Sequence, residues 1–296
     1  VTAPATETLL PVTVALGRLL ELVTLTGTET VALSEARGRV LAEDVVSGRS
    51  VPGCDNSAMD GFAVRAVDCA APATLRLGGE ARAGMPAIVH APGTASPIST
   101  GAPIPRGADA VVRVEDTRTA RDTVEIGVAV ATGANVRRAG GDVTPGMLMV
   151  AAGRRLRAVD IAAAAAVGAA HLTVRRQPRV GLLGGGDELV SADVEPAAHQ
   201  VADSNAPMLA AAIAEAGGEP VVLGRMADDR EVVRTHLLAA AECDLIVSTA
   251  GVSVGAHDHV RDLVSELGTV AAWRVAIRPG KPLLVGSVRG TPIIGL

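Results

Sequence analysis

Apolar residues recur at helical spacing over residues 9–24, at Leu9, Val12, Leu16, Leu19, Leu20 and Val23, and Pro11 suits the first turn of a helix starting near it. Residues 29–33 then read as a strand, and residues 34–42 as a short capped turn running into a strand through Val46. Pro52-Gly53 punctuates the chain. From Asp60 to about Asp142 the pattern changes to short strands with frequent turns, at residues 75–77, 87–90, 110–114 and 124–130, which predicts a small β-rich domain. An alanine-rich helix over residues 159–167, stopped by Gly168, follows.

From Arg179 the texture is alternating α/β. Residues 180–183 read as a buried parallel strand and residues 206–216 as a helix capped by Ser204 or Asn205 and stopped by Gly217-Gly218. A strand (220–223), a helix (229–241), a strand (245–247), a glycine loop (250–255) and a further helix follow. Strand–helix alternation predicts a parallel sheet with ligand loops at the carboxyl ends of its strands. The chain stops directly after a strand at Leu296 without a closing turn, the expected mark of truncation.

Composition narrows the function classes. At 296 residues, 48% apolar and 20% charged, the chain has room for two or three globular domains. A net charge of −5 argues against nucleic acid as a partner. Three cysteines (Cys54, Cys69, Cys243) without metal-ligand spacing suggest neither a disulfide framework nor a zinc site, which fits a reducing cytosol. No apolar run is long enough to span a bilayer, so a cytoplasmic protein is expected. One Phe, one Trp and no Tyr leave aliphatic side chains, guanidinium planes and backbone groups to hold any planar ligand.

The candidate chemistry lies in two sets of residues. The first is the run from Cys54 to Val64, in which Asp55 and Asp60 flank Asn56 and Ser57 before Gly61. Such residues hold irregular turns, and the run also suits an ordinary surface loop. The second set is in the α/β part. Gly184 to Gly186 and Gly251 to Gly255 follow strands and suit anions, although such glycines also serve as plain βα turns. Glu188, Asp228 and Asp258 each sit at or beyond the carboxyl end of a different predicted strand, where side chains converge on one crevice. Helix capping is the ordinary role of such acids, most of all for Asp228 and Asp229. Three acids beside a phosphate loop repel unless a divalent cation bridges them, and Mg²⁺ is the usual solution. Arg278 and Lys281 supply cations on a rigid turn that suits an oxyanion. His257 and His259 flank Asp258 without further ligands at a metal spacing, and no Ser-His-Asp or Cys-His set stands out.

In order and spacing these motifs resemble the molybdopterin molybdenumtransferase family, that is, bacterial MoeA proteins and gephyrin E domains. They are Asp55 to Gly61, Ser99 to Val112, Gly140 to Val143, Gly186-Asp187-Glu188-Leu189, Asp203-Ser204-Asn205, Gly251 to Gly255 and Pro279-Gly280-Lys281-Pro282. The resemblance implies a multidomain α/β plus β chain, elongated and homodimeric. Its parts are an N-terminal domain of residues 1–48 and 143–178, its first helix packing on the α/β domain, a β-rich lid of residues 49–142 and a MogA-like three-layer α/β domain of residues 179–296. It also implies a C-terminal β-barrel that this chain lacks. The implied reaction takes adenylylated molybdopterin and molybdate, releases AMP with Mg²⁺ present and leaves molybdenum on the dithiolene. By position Asp60, Thr100 and Asp142 match lid-side functional residues. Glu188, Asp228, Ser253 and Asp258 match the α/β pocket, and Arg278 and Lys281 its basic turn. Glu188 and Asp258 are the expected Mg²⁺ residues, and Gly251, Ser253 and Gly255 the expected phosphate loop. The site is expected between the lid of one subunit and the α/β domain of the other, with a MogA-type adenylyltransferase as a partner.

The chain departs from the family pattern at Gly185, Ala250, Ala256 and Gly141. Two rivals follow: another MogA-like superfamily enzyme, such as a molybdopterin adenylyltransferase, and a catalytically impaired paralogue or scaffold. The Asp55 to Gly61 run argues against the first.

Overall fold

The structure is a computed structural model that describes residues 9–70, 72–249, 259–277 and 282–296. The chain forms two compact units, one of Val31–Arg37 and Leu41–Leu172, the other of Val1–Thr30, Gly38–Val40 and Thr173–Leu296.

The first described helix, α1 (Val12–Leu22), belongs to the second of these units and buries Ala15, with Leu19 and Leu22 beside it, against Ala272, Val275 and Val285. It starts at Pro11, as the proline predicts, and ends two residues before the Thr24 to which the apolar spacing extends. The apolar spacing read from the sequence also lies mostly on the other side, because Val12, Leu16 and Leu20 are exposed. The helix carries two apolar stripes, and the sheet covers only one.

The β-rich unit is built on β1 (Gly61–Val64), β2 (Ala73–Leu77), β3 (Thr94–Ile98), β4 (Ala110–Arg113), β5 (Thr117–Ala120) and β6 (Thr123–Ile126), in the order β4-β1-β3-β2-β6-β5. All pairs are antiparallel except β2 with β3. Both faces of β1 are covered. Phe62 and Val64 join one core with Leu75, Ala95, Val112 and Ile126, while Ala63 joins Ile98, Ala102 and Val111 on the other. Such burial explains why the strand is a continuous apolar run rather than an alternating one. The strand predicted over 87–90 is instead a loop with a single bridge from Val89 to Arg106. Helix α2 (Ala158–Ala166) ends at Gly168, whose φ of +83° continues the chain where other residues strain.

The α/β unit holds β7 (Arg179–Gly185), β8 (Glu219–Met226), β9 (Leu245–Ser248), β10 (Gly268–Trp273), β11 (Leu284–Val288) and β12 (Thr291–Gly295). Their order is β8-β7-β9-β12-β11-β10; the first four run parallel, and β11 and β10 complete the sheet antiparallel. Helix α3 (Asn205–Ala216) packs Leu209, Ala210 and Ile213 on Val180, Leu182 and Val247. On the opposite face α4 (Arg230–Ala240) and α5 (Val260–Leu267) pack Leu237, Leu263 and Val264 on Leu183, Ile246, Leu284 and Ile293. Alternate residues of β7 therefore serve opposite cores, and the unit is a three-layer α/β sandwich with α1 and α3 on one side.

The helix α3 cap differs from the expectation. Ser204 holds the N-cap place without a side-chain bond, and the carboxylate of Asp203 instead accepts from the N–H groups of Asn205 (3.0 Å) and Ala206 (3.1 Å). Among the described residues no helix is long and apolar enough to cross a membrane.

Candidate functional site

In the β-rich unit three loop segments gather on the short strand Asn56–Ser57. That strand pairs antiparallel with Val136–Arg137, and on its other side Ser57 N–H donates to the Ala102 carbonyl at 3.0 Å. Asp60 and Thr100 meet at the end of this arrangement. The Asp60 carboxylate accepts from the Thr100 backbone N–H at 2.6 Å and from its hydroxyl at 3.0 Å. Those bonds, the backbone one foremost, hold Asp60 below its ordinary pKa, so it is a carboxylate at neutral pH. Both residues are exposed. Gly61 can only be glycine, because a Cβ there would lie 1.9 Å from the Val112 carbonyl oxygen across the β1–β4 pair.

Asp142 hangs on the same strand pair, ion-paired with Arg137 at the solvent surface. Next to it Asp55 accepts from Ala139 N–H at 2.8 Å and from the Arg138 guanidinium at 2.5 Å. The Ala139 bond first, then Arg138, lower the Asp55 pKa. The segment is pinned further by Gly140 N–H to Pro52 and Asp142 N–H to Val51. Exposed ion pairs of this kind contribute little stability but set where an anion meets charge.

In the α/β unit the sequence Gly184-Gly185-Gly186 leaves β7 at its carboxyl end. Gly186 has φ +127°, and a Cβ there would lie 2.6 Å from both carboxylate oxygens of Glu188. The absence of a side chain at 186 thus makes the cradle in which the Glu188 carboxylate rests. Its two oxygens, without a described cation partner, are donors of the type a hard divalent cation accepts. Asp228 is exposed in the turn between β8 and α4. The capping role falls to Asp229, which accepts from Glu231 N–H (2.9 Å) and Val232 N–H (3.0 Å) and leaves Asp228 out of the helix cap.

A cavity of about 740 Å³ opens toward the carboxyl ends of β7 and β8, lined at the end of β7 by Gly184 and at the end of β8 by Gly224 and Arg225. Leu182, Val190, Val194 and Val222 give it aliphatic walls, and Asp203 and Arg225 give it charge. Among the described residues no aromatic side chain lines it. Neither Asp203, which belongs to the Asp203-Ser204-Asn205 motif, nor Arg225 is among the site residues that the sequence predicts. The signal for Asp203 was its place just before a helix, where an acid both caps and faces a strand end; for Arg225 no pattern pointed to it.

The structure therefore joins Asp60 with Thr100, sets Asp142 on the same strand pair, and puts Glu188 and Asp228 at the carboxyl ends of neighbouring strands. Gly251, Ser253, Gly255, Asp258, Arg278 and Lys281 lie outside the described residues. Among the described residues no group of three or more His, Cys, Asp or Glu side chains is set to hold a metal. All three cysteines are free.

Comparison with known proteins accords with this geometry. Residues 10–168 match the model of the MoeA N-terminal region (domains I and II), and residues 181–296 match that of a probable molybdopterin binding domain. A molybdopterin molybdenumtransferase of Haemophilus influenzae is 35% identical over 274 residues, covering 92% of this chain and 68% of that protein. Molybdopterin molybdenumtransferase 2 of Mycobacterium tuberculosis is 38% identical over 280 residues, covering 90% of this chain and 69% of the relative. Among solved structures, a molybdopterin biosynthesis MoeA protein from Pyrococcus horikoshii superposes with a TM-score of 0.83 at 31% identity, covering 97% of this chain and 74% of that one. The matches to the MoeA N-terminal and molybdopterin-binding domain models, together with these relatives, place the chain among transferases of molybdenum cofactor biosynthesis. Within that class, the chain belongs to the molybdopterin molybdenumtransferase (MoeA) family.

Proposed function

We propose that the protein inserts molybdenum into adenylylated molybdopterin, with molybdate as the metal source and Mg²⁺-dependent release of AMP. The observation that carries this reading is the aliphatic cavity toward the carboxyl ends of β7 and β8; the Glu188 carboxylate lies over Gly186 just past the end of β7. Such a cavity takes a planar heterocycle without aromatic stacking, with the Arg225 guanidinium available to its face. An adjoining acid suits the diphosphate end of the same ligand once its charge is neutralised.

Glu188 and Asp258 would hold Mg²⁺ or its water shell, in keeping with their oxygen donors. Bound there, the cation would neutralise negative charge on the diphosphate as it is cleaved. Gly251, Ser253 and Gly255 would bind the phosphates through backbone N–H groups and a hydroxyl. Arg278 and Lys281 would hold molybdate, the first as a planar fork and the second as a point charge. Asp228, not engaged in the α4 cap, supplies a further carboxylate for orienting water or metal-bound water. Asp60, Thr100 and Asp142 are assigned to substrate contact on the β-rich unit, where Asp60 is already ionised and held by Thr100. Phosphoanhydride cleavage needs placement and charge stabilisation more than a covalent nucleophile. A cytoplasmic homodimer that receives its substrate from a MogA-type adenylyltransferase completes the reading.

Mass spectrometry of AMP released from adenylylated molybdopterin, with and without molybdate, tests it. Molybdate-stimulated AMP release is the expected result. Tight binding of the substrate with no AMP formed under any condition would favour the impaired paralogue or scaffold.

A further inference from the structure

We propose that Ser57 is a positioning residue for the Asp60–Thr100 pair, locking the two loops that carry them into one register. The inference rests on the reading of Asp60 as a functional acid and adds a residue to it.

Ser57 is wholly buried, unlike the exposed pair it serves. Its main chain bonds to the two residues that follow Thr100: its N–H donates to the Ala102 carbonyl at 3.0 Å, and its carbonyl accepts from Gly101 N–H at 2.8 Å. Gly101 sits at φ +81°, so the turn that delivers Thr100 depends on glycine there. The Ser57 hydroxyl works in the other direction, on the residue just before Asp60. It donates to the Met59 carbonyl at 2.5 Å and accepts from Met59 N–H at 3.3 Å. One buried residue thus grips both loops, each one step from the functional side chain.

Beyond Asp60 the chain is fixed by other means. The Asp60 carbonyl accepts from Val114 N–H at 3.1 Å, and Gly61 is closed in by the Val112 carbonyl. The Asp60 backbone is therefore held on its carboxyl side by β1 and on its amino side through the Ser57 hydroxyl. Loss of that hydroxyl frees the Met59 peptide groups, and Met59 is 44% exposed, so water can satisfy them without unfolding the sheet. What is lost is the alignment of a carboxylate with an N–H and a hydroxyl, an angular requirement that small backbone shifts defeat.

The test uses Ser57→Ala and Ser57→Cys, the latter retaining side-chain volume and a weak donor. Carboxyl ¹³C NMR of the whole protein reads the titration of Asp60, and ¹H–¹⁵N spectra report folding. In the wild type Asp60 titrates below the ordinary aspartate range; in Ser57→Ala it moves up toward that range while the spectra stay native, with Ser57→Cys between. The rate constant kcat for AMP release falls roughly tenfold in Ser57→Ala with KM little changed, as expected for a misplaced group. A folded Ser57→Ala variant whose Asp60 titrates as in the wild type overturns the proposal. So does failure of both variants to fold, which would make Ser57 a folding residue. Asp60→Asn in the same assay separates the two claims: full turnover there would remove the functional reading of Asp60, while a moved titration in Ser57→Ala would still establish the positioning.

Discussion

Replacing Gly186 with alanine perturbs the proposed cation site at one atom. Two costs follow from the structure. The first is conformational: at φ +127° an L-residue sits in a region used almost only by glycine, a penalty of about 1–3 kcal/mol. The second is steric: the new Cβ would lie 2.6 Å from both Glu188 carboxylate oxygens, well inside contact distance. Those oxygens end a flexible side chain, so Glu188 swings aside and the steric cost to folding is small. The cost to function is not small, because the carboxylate leaves its cradle. Thermal unfolding of the α/β unit should fall by roughly 2–12 °C, taking about 2–4 °C per kcal/mol for a domain of this size. Turnover in AMP release should fall as far as it does in Glu188→Ala. The double variant Gly186→Ala/Glu188→Ala should then be no slower than Glu188→Ala alone, since both changes remove the same interaction. Multiplying losses in the double variant, or a Gly186→Ala protein with wild-type melting and turnover, would refute the reasoning.

Two further predictions concern the β-rich unit. Gly61→Ala drives a Cβ to 1.9 Å from the Val112 carbonyl oxygen, backbone against backbone, so the β1–β4 pair must splay. A loss of at least about 3 kcal/mol in denaturant unfolding of that unit is expected, at the upper end of overpacking costs, and an unchanged midpoint would contradict it. His90 is 4% exposed, with Nδ1 3.0 Å from the Ser96 hydroxyl and Nε2 without a hydrogen-bond partner. Burial first, against a smaller opposing effect of Asp68, lowers its pKa. A depressed folded pKa means that the unfolded chain binds the proton first. Stability from the neutral ring is therefore complete above the unfolded value of about 6.5 and is lost as pH falls through the folded value. Urea unfolding of the unit should weaken below about pH 6.5, and His90→Gln should flatten that slope.

Much of the α/β unit was legible in the sequence. The run from Val180 to Leu183 is apolar on both faces because Leu182 meets α3 while Leu183 meets α4 and α5. Glycine pairs and acids at helix ends marked the boundaries of α3 and α4. Less legible was what depends on pairing between distant segments. The antiparallel strands β10 and β11 carry small residues such as Ala271, Ala272 and Gly286, which give no clear period. Strand β3 (Thr94–Ile98) contains Ser96 and Pro97, and its place in the sheet is set by partners far along the chain. The candidate site divides in the same way. Acids and glycines such as Asp60, Glu188 and Gly186 stand out by residue type. The Asp60–Thr100 contact spans forty residues and became visible only with the fold. The role of Ser57 is less visible still, since a buried serine looks like any other until its hydroxyl is traced.

The central claim is that carboxylates of this chain, Glu188 among them, hold the cation that neutralises the substrate's diphosphate. Its most direct test is the Mg²⁺ dependence of AMP release, compared between the wild type and Glu188→Gln at saturating adenylylated molybdopterin and molybdate. A wild-type rate that rises with Mg²⁺ to a plateau, with half-saturation moved to higher Mg²⁺ in Glu188→Gln, is the predicted result. Superimposable Mg²⁺ curves for the two proteins would contradict it.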